Sequence, residues 1–208
     1  MRKVSAVKSI TVFVVWVSSA IALLSCEQAR LESVPPNAVV LAFGDSLTVG
    51  VGADASESYP SVLAQLCSCQ VINAGVSGEV TADGVPRLAR ILTETRVDLL
   101  ILLEGGNDIL RNINPKTTEQ NLRVMLETAR RHKVAVVLLG VPEKKLFSNS
   151  APFYESLAEQ YDLVFEDKLI GELMRTSKYK SDPIHFNAAG YRNLAESLYA
   201  LMVKRGAF

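Results

Sequence analysis

The sequence predicts a single domain of the α/β class, with three layers in which helices cover both faces of a five-stranded parallel sheet. Short apolar segments alternate five times with amphipathic segments, which is the pattern of strands joined by crossover helices. The apolar segments are hydrophobic at almost every position, and this is typical of strands buried on both faces. The flavodoxin-like strand order 2-1-3-4-5 is therefore expected, and 208 residues suffice for one such domain.

The first 25 residues are predicted to be a signal peptide of the lipoprotein type. They contain three basic residues and an apolar run, residues 10–24, that is short for a membrane span and typical of a secretory signal. The segment Leu23-Leu24-Ser25-Cys26 resembles a lipobox, in which the cysteine is lipidated and becomes the new N-terminus. The alternative is cleavage nearby that leaves a soluble secreted protein. If Cys26 is lipidated, the protein is expected to be attached to a membrane on its periplasmic or extracellular side.

Residues 26–37, which contain Pro35-Pro36, are predicted to be a tether, and residues 38–208 are predicted to be the folded domain. The whole chain has 22 Lys and Arg against 22 Asp and Glu, and cleavage after residue 25 would remove three basic residues and no acidic one. The mature protein is therefore faintly acidic and lacks the basic footprint of a nucleic-acid-binding domain. We expect a monomer without a nucleic-acid partner.

The strands are predicted from their apolar composition and from the polar or glycine residues that end them. The first strand, 38–43, stops at Gly44, and the central strand, 98–103, stops at Glu104. The remaining strands are 71–72, 134–139 and 163–165.

Five helices are predicted from apolar residues at helical spacing, and their ranges are 58–66, 81–95, 116–132, 153–160 and 188–204. Pro60 suits the first turn of the first helix, where its missing N–H has no partner to lose. The second and third helices each carry an apolar stripe that should face the sheet. These stripes are Val85, Leu88, Ile91 and Leu92, and Leu122, Met125, Leu126 and Ala129.

Cys67 and Cys69 remain once the lipidated cysteine is set aside. Their C-x-C spacing is unfavourable for a disulfide between them, because so small a ring strains the bond geometry. No histidine or further cysteine pair stands near, so a zinc site is not expected. We predict two small, partly buried side chains at a helix end, although an exported protein could oxidise them.

Ser46 is the candidate nucleophile. The first strand ends at Gly44-Asp45-Ser46, which places a hydroxyl at the carboxyl end of a strand, where open α/β sheets keep their ligand crevice. Asp45 is expected to orient this loop. The alternative is an ordinary turn in which Asp45 or Ser46 caps the next helix.

A serine needs a base to become nucleophilic at neutral pH, and the chain contains two histidines. His132 is expected at a helix C-terminus, where the helix dipole favours a cation on the surface. His185 lies in the loop after the fifth strand, so elimination selects it as the general base. Asp182, three residues upstream, would hold the imidazole in one tautomer or cap a helical turn, and both roles are compatible.

Three further stretches stand in the order used by the SGNH/GDSL hydrolases. They are Asn73-Ala74-Gly75-Val76-Ser77-Gly78, Gly105-Gly106-Asn107-Asp108 and Asp182-Pro183-Ile184-His185. Together with Gly44-Asp45-Ser46-Leu47, they make the chain resemble that family over about residues 39–203. Within the family it is most similar to the bacterial branch of arylesterases, lysophospholipases and acyl-thioesterases.

The resemblance implies an oxyanion hole formed by the backbone N–H groups of Ser46 and Gly78 and the side-chain amide of Asn107. The alternative for Asn107 is a turn residue. The implied activity is that of a serine hydrolase of carboxylic esters or thioesters that forms an acyl-enzyme, with no metal or organic cofactor.

The substrate pocket is expected in the loops after the third and fourth strands, which should flank Ser46 on the side away from Gly78. Their apolar side chains suit an acyl or aryl group better than a sugar, and the short second loop limits the groove it can cover. Short-to-medium acyl esters and aryl esters are therefore the expected substrates, with thioesters and lysophospholipids left open. The predicted lining residues are Ile109, Leu110, Ile113, Val141, Pro142, Leu146 and Phe147.

Three other functions remain possible at this point. An O-deacetylase of cell-wall or capsular sugars would use the same catalytic residues. A flavin-type binding module would use the Ser-, Thr- and Gly-containing loop 44–52, but it has no need for Asp182 and His185. An inactive lipoprotein adaptor is disfavoured because every catalytic position is filled.

Overall fold

The computed structural model describes residues 29–145 and 148–208 of the chain. The predicted signal peptide, residues 1–25, and the predicted lipidation site Cys26 lie outside these ranges, as do Leu146 and Phe147. No helix within the described ranges combines the length and the apolarity that a membrane crossing requires.

The described residues form one five-stranded sheet in which all strands are parallel and follow the order 2-1-3-4-5. This confirms the predicted fold class and strand order. In the register, Gly44 lies opposite Gly75 on one side and Leu103 on the other, so three strands end at the same level. The strands are β1 (Val39–Gly44), β2 (Gln70–Gly75), β3 (Leu99–Leu103), β4 (Ala135–Leu139) and β5 (Val164–Glu166).

Helices cover both faces of the sheet, with α3 packed beside α5 on one face and α2 beside α8 on the other. The five predicted helices are present, and each of their ends agrees with the prediction to within one residue. Three others were not predicted because they have four, five and seven residues, too few for a clear periodic pattern. The helices are α1 (Ser46–Val49), α2 (Tyr59–Cys67), α3 (Thr81–Glu94), α4 (Gly106–Leu110), α5 (Pro115–Arg131), α6 (Pro152–Tyr161), α7 (Leu169–Arg175) and α8 (Ala188–Arg205).

The residues just before β1 pack on the domain, although residues 26–37 were predicted to be a tether. Leu31 is buried in the core and its N–H donates to the carbonyl of Arg205 at 2.9 Å. The N–H of Val34 donates to the carbonyl of Ala207 at the same distance. The folded unit therefore includes at least residues 31–34, which lie against the end of α8.

The expectation of two separate thiols at Cys67 and Cys69 is wrong, because the structure joins them in a disulfide. The intervening Ser68 takes the left-handed conformation, with φ of 50°, and turns the chain back on itself after α2. This turn brings the two Cα atoms to 5.1 Å, within the usual range for a disulfide. Spacing alone could not reveal this geometry, because it depends on an unusual backbone conformation at Ser68.

Replacing both cysteines by serine should lower the free energy of unfolding by about 1–2 kcal/mol. The stabilisation is small because the disulfide closes a short loop and removes little entropy from the unfolded chain. Thermal unfolding should therefore shift down by about 2–8 °C. The double variant, unlike the wild type, should show the same melting temperature with and without reductant. Two free thiols in the untreated, folded wild-type domain would contradict the disulfide.

Candidate active site

The candidate nucleophile Ser46 is the first residue of α1. The preceding residue, Asp45, is the N-cap of α1 and directly follows β1. Its N–H therefore belongs to the first turn of a helix, where backbone donors have no intrahelical partner. Gly44 is required here, since a Cβ would stand 2.2 Å from the carbonyl oxygen of Leu103 and 2.4 Å from Thr48 Oγ1. The close approach of β1 and β3 thus fixes the position from which Ser46 projects.

His185 and Asp182 complete a hydrogen-bonded chain to Ser46. His185 Nε2 lies 3.0 Å from Ser46 Oγ, and His185 Nδ1 lies 2.7 Å from Asp182 Oδ2. An ionised carboxylate at Nδ1 requires the proton on that nitrogen, which leaves the Nε2 lone pair facing the serine hydroxyl. The other histidine, His132, is exposed at the C-terminal end of α5, as predicted.

Asp182 both caps its turn and contacts the imidazole, so the two roles considered from the sequence coexist. Its Oδ1 accepts hydrogen bonds from the N–H groups of Ile184 and His185, each at 2.8 Å. The backbone N–H of His185, followed by its ring, lowers the pKa of Asp182 to about 2. The carboxylate is therefore ionised at every pH at which an esterase is assayed.

Asn107 lies on α4, the short helix that follows β3. Its Nδ2 donates to Asp45 Oδ2 at 3.3 Å, which ties the loop after β3 to the residue before Ser46. An asparagine amide carries two N–H groups, so the contact with Asp45 leaves one for another acceptor.

Gly78, the third predicted oxyanion donor, lies in the loop after β2 with φ of 78°, a conformation that favours glycine. Its carbonyl accepts a hydrogen bond from Arg111 Nη2 at 2.8 Å. Arg111 follows α4 directly, so this contact connects the loops that carry Gly78 and Asn107. Sequence reasoning missed Arg111, because its partner is a backbone atom 33 residues away.

Asp108 is a second residue that sequence reasoning left without a role. Its carboxylate accepts hydrogen bonds from Thr81 N at 2.8 Å, Thr81 Oγ1 at 2.5 Å and Thr118 Oγ1 at 3.1 Å. The carboxylate therefore caps α3, whose own N-cap residue Val80 has no capping side chain. Because successive helix residues point about 100° apart, Asp108 anchors α4 while Asn107 faces Asp45.

Asp45 is a buried carboxyl group next to the nucleophile. Its Oδ1 accepts from Leu47 N at 3.0 Å, and its Oδ2 accepts from Asn107. Burial raises the pKa of Asp45 to about 6, and the charges of Glu79 and Asp108 act in the same direction. Above that pH the buried Asp45 carboxylate is ionised next to the Ser46 loop. Its desolvation lowers the free energy of unfolding.

A cavity of about 320 Å³ lies beside α4. Of the predicted lining residues, Ile109 and Ile113 contact it, and Phe153 and Ala151 were not predicted. Val141 is only 5% exposed and packs in the core, so its predicted place in the lining is wrong.

The remaining lining predictions are not supported by this cavity. Leu110, which is 42% exposed, and the half-buried Pro142 lie outside its lining. Leu146 and Phe147 are not among the described residues. A larger cavity, of about 640 Å³, opens at the amino ends of β3, β4 and β5. Neither cavity is lined by Ser46, Asp182 or His185, and the smaller one lies beside α4, the helix that carries Asn107. Within the described ranges, no cluster of three His, Cys, Asp or Glu side chains is arranged to hold a metal ion.

Comparison with known proteins gives one consistent result. The model of the GDSL-like Lipase/Acylhydrolase family matches residues 42–192. The chain is 34% identical to the esterase TesA of Pseudomonas aeruginosa over 131 residues, which cover 60% of this chain and 64% of TesA. It thus spans just under two thirds of that relative.

Two further proteins extend the similarity. The chain is 27% identical over 156 residues to the thioesterase 1/protease 1/lysophospholipase L1 of Escherichia coli K12, covering 71% of this chain and 75% of that enzyme. The crystal structure of AlinE4, an SGNH-hydrolase family esterase, matches with a TM-score of 0.65 at 33% identity, covering 83% of this chain and 98% of AlinE4.

The raised pKa of Asp45 predicts how an Asp45→Asn variant responds to pH. Folded Asp45 binds its proton more tightly than unfolded Asp45, so its contribution to stability is complete below pH 3.8 and is lost as the pH rises through about 6. Denaturant unfolding should show the wild type losing about 2 kcal/mol relative to Asp45→Asn between pH 4.5 and 7.5. An unchanged difference across this range would place the pKa of Asp45 near its ordinary value.

Proposed function

Because the chain belongs to the GDSL-like lipase/acylhydrolase family, a family of carboxylic ester hydrolases, we propose that it is a serine esterase that works through an acyl-enzyme. The observation that carries the proposal is the hydrogen-bonded chain from Asp182 through His185 to Ser46, at 2.7 and 3.0 Å. Ser46 begins α1 directly after β1, whereas Asp182 and His185 lie in the segment between α7 and α8, so only the fold brings the three side chains together.

In the first half of the reaction, Ser46 Oγ attacks the ester carbonyl carbon while His185 Nε2 takes the hydroxyl proton. The bond to the leaving alcohol then breaks, and His185 returns the proton to its oxygen. In the second half, His185 activates a water molecule that attacks the acyl-enzyme and releases the acid. Asp182, ionised throughout, steadies the imidazolium that forms in both halves.

The negative oxygen of each tetrahedral intermediate would be bound by three N–H donors. They are the backbone N–H groups of Ser46 and Gly78 and the free amide hydrogen of Asn107. Two contacts support their arrangement before substrate binds. Asp45 holds the Asn107 amide beside the Ser46 loop, and Arg111 holds the carbonyl of Gly78 beside α4. Donors that are fixed in advance stabilise developing charge without reorganisation.

The acyl group would be bound in the cavity beside α4. Ile109, Ile113 and Phe153 give it an apolar lining suited to an acyl or aryl group. Lys144 Nζ donates to the carbonyl of Leu110 at 2.6 Å and to Asn112 Oδ1 at 3.0 Å. Lys144 therefore ties the loop after β4 to the loop after α4 at the cavity, which supports short-to-medium acyl or aryl esters as substrates. Thioesters are a further candidate substrate class, since the Escherichia coli relative is named a thioesterase.

The protein would act as an exported monomer, anchored through a lipid on Cys26. The disulfide between Cys67 and Cys69 supports export, because such bonds persist in oxidising compartments. Mass spectrometry of the mature N-terminus should show cleavage before Cys26 with a lipid on the cysteine. An unmodified terminus, or cleavage elsewhere, would contradict the anchor.

Ser46→Ala should abolish labelling by a fluorophosphonate probe and nearly all hydrolysis of p-nitrophenyl butyrate. His185→Gln should show the same loss of hydrolysis, since the serine hydroxyl then has no base. His132→Gln is the matched control and should retain full activity. His132 is exposed at the C-terminal end of α5, beside the residues that precede β3 and β4, so it lies at the opposite edge of the sheet from Ser46. Labelling at full strength in Ser46→Ala would place the nucleophile elsewhere.

Lys144→Ala should shift the preference of the enzyme toward longer acyl chains. Without the two hydrogen bonds of Lys144 the loops can separate, and each additional methylene that is buried contributes about 0.8 kcal/mol. If the variant buries two more methylenes than the wild type, its kcat/KM for the longer ester relative to the acetate should rise about fifteenfold over the wild-type ratio. The measurement is kcat/KM for p-nitrophenyl esters from acetate to dodecanoate.

Lys145→Ala is the control for this series, because Lys145 lines the same cavity but its ion pair among the described residues is local, with Glu143 two positions earlier. It should leave the chain-length profile unchanged. A wild-type kcat/KM that climbs steadily to the longest chain would contradict the proposed substrate size.

A further inference from the structure

Glu104 is a fully buried carboxyl group at the end of β3, directly before the N-cap Gly105 of α4. Its Oε2 accepts the N–H of Gly105 at 2.9 Å. Its Oε1 is buried too, and no donor within the described part of the chain reaches it. The carboxyl group of Glu79, in the loop after β2, lies within hydrogen-bonding reach of the Glu104 carboxyl group.

The charges around Glu104 are mostly negative. Asp45 and Glu79 face it, and the buried Tyr154 donates its hydroxyl to the main-chain carbonyl of Glu104 at 2.6 Å. Asp108 lies further out, and its negative charge acts on Asp45 and on the neutral hydroxyl of Tyr154. Burial, followed by the charge of Asp45, raises the pKa of Glu104 to about 10. A proton on the Glu104 carboxyl group would convert an unfavourable interaction between two carboxylates into an O–H···O hydrogen bond to Glu79.

Glu79 in turn binds Arg87 through both carboxylate oxygens. Its Oε1 accepts from Arg87 Nε at 2.7 Å, and its Oε2 pairs with Arg87 Nη2. This bidentate arrangement fixes the guanidinium plane as well as its position. Glu79 is next to Gly78 in sequence, so the pair also fixes the loop that carries this proposed oxyanion donor.

Arg87 connects the pair to the ends of two strands. Its Nη1 donates to the carbonyl of Ala74 in β2 at 2.8 Å, and its Nη2 lies 3.5 Å from the carbonyl of Gly44 in β1. Its guanidinium carbon lies 3.8 Å from the ring centroid of Phe43. The guanidinium therefore reaches the backbone two residues before Ser46.

We propose that Glu104 is a neutral acid which donates a hydrogen bond to Glu79, and that Glu104, Glu79 and Arg87 form a positioning relay for the oxyanion hole. The inference rests on the proposed function. Glu104 adjoins the loop of Asn107, Glu79 adjoins Gly78, and Arg87 contacts the strand that ends at Ser46. Each proposed oxyanion donor is thus attached to one member of the relay. In this relay the three members act through Asn107, Gly78 and Ser46, so they are positioning residues.

The test compares Glu104→Gln with Glu104→Leu. Glutamine keeps one acceptor for Gly105 and one N–H donor for Glu79, whereas leucine has a similar size and neither group. Glu104→Gln should retain kcat for p-nitrophenyl butyrate within about threefold. Glu104→Leu should lower kcat about 10- to 100-fold with KM within twofold, because displaced donors weaken binding of the transition state alone.

The pH dependence of folding gives a second readout that does not depend on activity. The folded wild type keeps a proton on Glu104 that the unfolded chain releases above its ordinary pKa of 4.5. The contribution of Glu104 to stability is therefore complete below pH 4.5 and is lost progressively as the pH rises toward 10. Between pH 6 and 9, the unfolding equilibrium constant of the wild type should rise tenfold per pH unit relative to that of Glu104→Gln.

The possible outcomes separate this inference from the proposed function. A wild type that neither labels with fluorophosphonate nor hydrolyses esters overturns the proposed function. With an active wild type, a Glu104→Leu kcat equal to that of Glu104→Gln overturns the relay. Parallel pH dependences of the wild type and Glu104→Gln overturn the neutral acid, and this comparison decides even if Glu104→Leu fails to fold.

Discussion

The parallel register of β1, β2 and β3 is the constraint on which the rest of the site depends. Gly44, Gly75 and Leu103 end their strands at one level, so the loops that follow begin side by side. The approach of the strands at Gly44 leaves no space for a side chain, and the α1 turn that carries Ser46 begins two residues later. The sheet therefore supplies the position, and the loops supply the chemistry.

Around this edge, the loops are held by polar side chains that reach from one loop to another rather than by apolar packing. Asp45 binds Asn107, Arg111 binds the carbonyl of Gly78, and Asp108 caps α3. Such hydrogen bonds fix the positions of a few N–H donors, and an oxyanion hole requires donors that are fixed before the charge develops. The apolar core lies below them and sets the distance between the loops, because close-packed interiors resist small displacements.

In this arrangement, buried carboxyl groups outnumber buried cationic side chains near the proposed nucleophile. Asp45, Glu79, Glu104 and Asp108 are all buried, whereas the cation that contacts this group directly is Arg87. Desolvation of carboxylates costs stability unless they are paired or protonated. Glu79 is paired, Asp108 accepts three hydrogen bonds, and burial raises the pKa of the other two. Burying these carboxyl groups therefore lowers the stability of the folded protein locally, while their hydrogen bonds fix the geometry of the site.

The sequence by itself determined the fold class and the chemical identity of the site. Strands buried on both faces need continuous apolar runs, and a chain with two histidines offers one at the strand ends, so Ser46 and His185 could be paired from residue order alone. Only the tertiary structure decided that Asp108 caps α3, that Val141 packs in the core, that Cys67 and Cys69 form a disulfide and that the carboxyl groups of Glu104 and Glu79 interact. The physical reason is that burial, backbone conformation and the protonation of a carboxyl group depend on neighbours distant in sequence, which no local pattern encodes.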